Sequence, residues 1–262
     1  MPSIGAFRFW TLAMLCAAGR PVGDLLAQVP EKFENLRVLP KDIPRPQLVQ
    51  VMRGFTTALG VRCSFCHTRT GQEADLSTYD FASDSIPAKR TARLMMMMVH
   101  VINDSLLAPL DTLAGRHEHS GSGHAAQHLT VQCVTCHRGQ SRPRSLESVV
   151  NAMVVDSGVP AAVANYRDLK RRFYGGFTYD FRERPLNNVA SELIGQNRHS
   201  DAVVILNLNL ETNPDSWATH QLLGDSYAAL GQKDSAIASY RKSLELQPQN
   251  PPVQAKLDAL LR

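Results

Sequence analysis

Four of the five cysteines in this 262-residue chain stand in two copies of one pattern, Cys63-Ser-Phe-Cys66-His67 and Cys133-Val-Thr-Cys136-His137. Two thiols at this spacing, followed directly by a histidine, suit covalent attachment of haem. Each thiol bonds to a vinyl group, and the histidine is delivered beneath the ring as the proximal iron ligand. Cys63, Cys66, Cys133 and Cys136 are therefore expected to attach two haem c groups, with His67 and His137 on the irons. Zinc is the rival chemistry for paired cysteines. A zinc ribbon, however, separates its C-x-x-C pairs by about 15–20 residues, and here 66 residues lie between Cys66 and Cys133. Two disulfides would leave both trailing histidines as coincidence.

The fifth cysteine, Cys16, falls in a segment expected to be removed. Residues 1–27 read as a secretory signal, with Arg8 as the positive n-region, Phe9 to Ala18 as the apolar stretch and Leu25-Leu26-Ala27 as the cleavage site before Gln28. An uncleaved N-terminal anchor is the alternative, and bulky Leu15 before Cys16 argues against a lipoprotein. Export agrees with haem attachment, which in bacteria is completed outside the cytoplasm. The expected location is the periplasm, soluble or associated with the periplasmic face of the inner membrane. A net charge of +4 is slight for this length and does not argue for a nucleic-acid partner. No Ser/His/Asp grouping, phosphate loop or paired-carboxylate signature stands out.

The elements that must position the motifs are helical. Leu48, Val51, Met52, Phe55 and Leu59 recur at helical spacing, and Gly60 follows as a C-cap. Reversal at Gly60 lays the first haem back along that helix, which makes Met52, about 12 Å up the axis, a candidate for the sixth iron position. A second helix is marked by Ser85 as N-cap and Pro87 in its first turn, with Ala92, Met95, Val99 and Ile102 on one stripe. The run Met95 to Met98 makes this helix apolar most of the way round, which suits an element between two haems. Methionines also fill irregular cores, and spacing alone does not choose which of the four binds iron. His100 is a further axial alternative. Arg53, Arg62, Arg93 and Arg138 lie near the ligands in sequence and suit haem propionates. His117, His119, His124 and His128 sit among Gly and Ser in a stretch that reads as a solvated loop or, less simply, a metal site.

Four segments carry a resemblance: Asn35-Leu-Arg-Val-Leu-Pro40, Met52-Arg-Gly-Phe-Thr-Thr-Ala-Leu-Gly-Val-Arg-Cys63, Ala92-Arg-Leu-Met95 and Val131-Gln-Cys-Val-Thr-Cys-His-Arg-Gly139. Together they resemble the cytochrome c subunit of photosynthetic reaction centres over residues about 34–145. In that family each haem is served by a helix bearing the axial methionine, then a turn, then C-x-x-C-H. The resemblance implies Met52 on the first iron and Met95 on the second. The family has four haems and this chain carries two motifs, so it resembles one half of such a subunit.

From about residue 183 the sequence repeats with a period of 34, pairing Ala202 with Ala236, Leu206 with Tyr240 and Pro214 with Pro248. That period marks tetratricopeptide repeats. Pro251 to Arg262 reads as a capping helix, and the unit is expected to pack on the helical segment from Leu146 to Phe181. The expected fold is mainly α: a signal at 1–27, a helix-turn-C-x-x-C-H dihaem domain at 28–145, a helical connector at 146–182 and repeats at 183–262. The expected function is single-electron transfer, without catalysis, to periplasmic redox proteins or a membrane redox complex such as a photosynthetic reaction centre, with a protein partner for the repeats. A dihaem peroxidase and a haem-based sensor acting through the repeats are the alternatives.

Overall fold

The computed structural model describes residues 28–110 and 129–262. The expected signal segment with Cys16, and His117, His119, His124 and His128, lie outside the described residues. The described chain is mainly helical, with ten α-helices and one two-stranded sheet. It divides into two compact units, Met1–Thr56 with Val61–Val131, and Thr57–Gly60 with Gln132–Arg262.

In the first unit, α1 (Arg45–Leu59) starts at an Arg-Pro pair and ends at Gly60. Gly60 adopts φ +64°, and the Val61 N–H donates back to the Thr56 carbonyl at 3.1 Å. This is the left-handed exit that only glycine makes without strain. The chain then makes a short 3₁₀ turn at Cys63–Phe65 and a ribbon of β1 (Thr68–Arg69) against β2 (Tyr79–Asp80), antiparallel with Arg69 opposite Tyr79. Next comes α2 (Pro87–Val101). Its N-cap is Ile86 rather than Ser85, and no side chain caps it; Pro87 sets the first turn by its fixed φ. The helix widens to a π-helical stretch at Ile102–Leu107. Within that stretch the Asn103 side-chain amide donates to the Val131 carbonyl at 2.9 Å and accepts from the Val131 N–H at 2.8 Å. Asn103 thus imitates a strand partner for the segment that leads into Cys133.

The second unit begins with the five-residue α3 (Cys133–His137), whose first turn carries a Gln132/Thr135 capping box and which exits through Arg138 and Gly139, both at positive φ. The Gly139 N–H donates to the Ala58 carbonyl at 2.8 Å, which is why the last turn of α1 groups with this unit. Thr178 and Tyr179 bond to Arg138 and Gln140. These bonds join the second C-x-x-C-H to the C-terminal helices.

Behind it follow α4 (Leu146–Ser157) and α5 (Val159–Phe173), then two helical hairpins, α6 (Glu183–Gly195) with α7 (His199–Leu210) and α8 (Trp217–Ala229) with α9 (Lys233–Leu246), and finally α10 (Pro251–Leu261). One continuous core runs from Leu146 and Val150 through Tyr166 and Val189 to Ile205 and Leu223, so α4 and α5 pack directly on the repeats. Small residues set the hairpin spacing. A Cβ at Gly224 would collide with the Tyr240 ring, and Ala202 and Ala236 are fully buried. Val253 and Leu257 of α10 close the far end over Ala236 and Tyr240.

Candidate haem-binding site

The 3₁₀ turn that starts at Cys63 makes the first motif compact. The N–H groups of Cys66 and His67 both donate to the Cys63 carbonyl, at 3.2 and 3.0 Å. The turn opens onto a cavity of about 1110 Å³, just above the range of roughly 300–1,000 Å³ usual for ligand pockets. Cys63, Cys66 and His67 line it, and so do Met52 and Phe55 from α1 and Met96 from α2. Both thiols, the imidazole and the thioethers of Met52 and Met96 therefore face one space.

His67 itself tests the fit. Its ring is buried edge-on to Phe81, with centroids 5.1 Å apart, and its Nδ1 has no hydrogen-bond partner. Burial, and after it the Lys89 ammonium, push its pKa down to about 4, with Asp80 opposing. The imidazole is thus neutral at pH 7, the state in which a ring nitrogen can bind a metal. Burial likewise raises the thiols of Cys63, Cys66 and Cys133 above the ordinary cysteine value. A large apolar cavity with two thiols and a neutral histidine at its wall fits a covalently attached haem.

Basic groups stand among the residues of the cavity wall. Arg37, Arg53, Lys89 and Arg93 all line it. Arg93 donates to Asp84 at 2.8 Å and to the Asn35 carbonyl at 3.1 Å. Arg62 does not line it and instead pairs with Glu73 at 2.9 Å. Glu73, which itself lines the cavity, also accepts a short bond from Ser64, so these two contacts brace the turn between the first two cysteines.

The second motif is built differently. The His137 Nδ1 lies 2.8 Å from the Gln140 carbonyl, an oxygen that can only accept, so Nδ1 carries the proton and Nε2 presents its lone pair. Cys136 is exposed at the wall of a smaller cleft of about 390 Å³ shared with Arg138, Gln140, Arg144 and Tyr179. Arg138 is exposed and bonds only weakly, at 3.4 Å, to the Thr135 carbonyl.

Met95 lies on α2 with 40% of its surface exposed and does not line the His67 cavity; Met96 takes that face. Met97, Met98, Leu94 and Val101 are also exposed, so within its own unit the methionine helix is covered on one side only. His100 lies 2.7 Å from Asp104 across one helical turn. Among the described residues, no group of three or more His, Cys, Asp or Glu side chains could hold a metal ion. No described helix is long and apolar enough to cross a membrane. Lys89, Asp84 and Asn103 are not legible in the sequence, because each acts largely through backbone groups or loop residues and belongs to no short pattern.

Residues 40–154 match the family model described as photosynthetic reaction centre cytochrome C subunit, and residues 218–250 match the tetratricopeptide repeat model. The chain is 29% identical over 93 residues to a photosynthetic reaction center cytochrome c subunit of Rubrivivax gelatinosus, a match covering 36% of this chain and 23% of that protein. It is 31% identical over 106 residues to cytochrome c-554 of Chloroflexus aurantiacus, covering 40% of this chain and 20% of that protein. The match thus spans about a fifth of each relative's length. Among solved structures, the first TPR of Spaghetti (RPAP3) bound to the HSP90 peptide SRMEEVD aligns at a TM-score of 0.32 and 20% identity, over 44% of this chain and 86% of that one.

Proposed function

We propose that this chain, whose residues 40–154 match the reaction-centre cytochrome c subunit model, is a periplasmic dihaem c-type cytochrome that carries single electrons. Attached haem supplies the Fe(III)/Fe(II) couple. Cys63 and Cys66 would hold the first group and Cys133 and Cys136 the second; His67 and His137 would serve as proximal ligands, and Met52 and Met95 as thioether ligands. The observation that carries the reading is the single cavity onto which Cys63, Cys66, neutral His67 and Met52 all open.

The residues account for electron transfer rather than turnover. Met52 and His67 line one cavity and together would ligate the iron of an attached haem, which would leave no place for a substrate. Phe55, Phe81 and Met96 keep water from the ring, and a methionine opposite histidine raises the potential relative to two nitrogen ligands. His137, its tautomer fixed by Gln140, presents Nε2 in the second site. The repeats supply a docking surface for a protein partner, and the membrane redox complex that receives or donates electrons is, on the matched family's name, a photosynthetic reaction centre.

Intact mass and a pyridine haemochrome assay on protein matured in the periplasm test the reading. Two haems per chain are expected, falling to one in Cys63→Ser/Cys66→Ser and in Cys133→Ser/Cys136→Ser. Wild-type protein that matures without covalent haem would overturn it.

A further inference from the structure

Lys89 is a lysine that the sequence gives no reason to notice. Among the described residues no other charged side chain is as buried, at 8% exposure. Its ammonium donates to three successive carbonyls, Phe81 at 2.7 Å, Ala82 at 3.2 Å and Ser83 at 2.7 Å, and stands 3.4 Å from Asp84 Oδ1. Only the charged form has three protons for three carbonyls. Burial pulls its pKa below the usual lysine value, and Asp84 works against that.

The charge points at the first site. Lys89, Ala92, Arg93 and Met96 form the face of α2 that lines the His67 cavity. The loop that Lys89 binds carries Phe81, whose ring meets His67. Asp84, the carboxylate nearest the ammonium, is shared with Arg93 at 2.8 Å and Arg37 at 3.3 Å, so one anion stands against three cations and does not itself line the cavity. Asp80 also faces this region, but its Oδ1 accepts from the Ala82 and Ser83 N–H groups, and at His67 the Lys89 field outweighs it.

We propose that Lys89 sets the reduction potential of the first haem, by holding a fixed positive charge beside His67 that favours the reduced, less positive iron. The inference rests on the haem reading above. Reduction takes one electron from the titrant, Fe(III) to Fe(II), and moves no proton on Lys89. A unit charge acting at an effective dielectric constant near 20 over about 10 Å changes such an equilibrium on the order of tenfold, or 59 mV for one electron.

The test is a spectroelectrochemical titration of the matured, haem-loaded protein with its two midpoints resolved. Lys89→Met should lower one midpoint by about that amount and leave the other unmoved, with haem content and the red-edge iron–thioether absorption band retained. Lys89→Arg, which keeps the charge, should restore most of the shift. Asp84→Asn should move the same midpoint upward, and it serves if Lys89→Met fails to mature. Unchanged midpoints in Lys89→Met, or in Asp84→Asn where Lys89→Met does not mature, would overturn the proposal while the haem reading stands. An arginine variant as low as the methionine one would do the same, by assigning the effect to loop geometry. Absence of haem in the wild type would overturn both.

Discussion

His67 is where the chemistry of the site is most exposed to test. Its pKa falls from the usual 6.5 to about 4 because burial and Lys89 disfavour the imidazolium. The unfolded chain therefore binds a proton that the folded haem-free chain refuses until lower pH. The stability this costs is absent above about pH 6.5 and grows as pH falls towards 4, reaching roughly 3 kcal/mol at most. Urea midpoints of haem-free protein should drop between pH 7.5 and 5, and His67→Gln should flatten that slope. Asn103 gives a second residue-scale prediction. Asn103→Leu removes both bonds to Val131 and leaves its peptide groups unpaired, a loss of about 1–3 kcal/mol. The segment before Cys133 should loosen, so the haemochrome yield of the second site should fall while the first is kept. The cysteines and both histidines were legible because their role is written in adjacent positions. Lys89 and Asn103 were not, since their partners are carbonyls, which every residue has.

Among the elements, α1 and its exit were legible for the same reason: a stripe of apolar residues at period 3.6 and a glycine after it leave one reading. Two glycines of this element should behave oppositely. Gly54 sits within α1 with nothing near the position of an added Cβ, so Gly54→Ala should stabilise by about 0.5–1 kcal/mol. At Gly60 a Cβ would strike the Gly139 carbonyl, at φ +64°, so Gly60→Ala should cost at least about 2 kcal/mol; chemical denaturation of the pair reads both. At the start of α2 the sequence points to Ser85, two residues before Pro87, as the cap, one residue ahead of the observed Ile86. The chain caps nothing there, and the Ser85 N–H instead donates to Ser83 Oγ at 3.2 Å. The π-helical stretch at Ile102–Leu107 has no sequence period of its own, and it shows only through what Asn103 reaches. The methionine run makes α2 apolar most of the way round, but only the folded chain distinguishes Met96, inside the cavity, from exposed Met95.

Across the whole molecule, the repeats were readable because Ala202, Gly224 and Ala236 stand where helices approach closely, and only small residues fit. The grouping of Cys133–His137 with the C-terminal helices was not, because it depends on single bonds from Thr178 and Tyr179 rather than on composition. Closure by α10 is the feature of this unit most open to measurement. Leu257→Ala, removing a side chain buried on Tyr240, should destabilise by about 2–4 kcal/mol, whereas Leu261→Ala, more than half exposed, should stay within about 0.5 kcal/mol.

The central claim is that the chain carries electrons on two haems whose irons have no open position. The measurement that meets it most directly is the visible spectrum of the reduced, matured protein before and after carbon monoxide, beside the red-edge iron–thioether band of the oxidised form. Two haems per chain, a thioether band lost in part in Met52→Ala and in part in Met95→Ala, and no carbon monoxide shift are predicted. Rapid carbon monoxide binding at either haem, with no thioether band, would contradict the account and show a site built to bind small ligands.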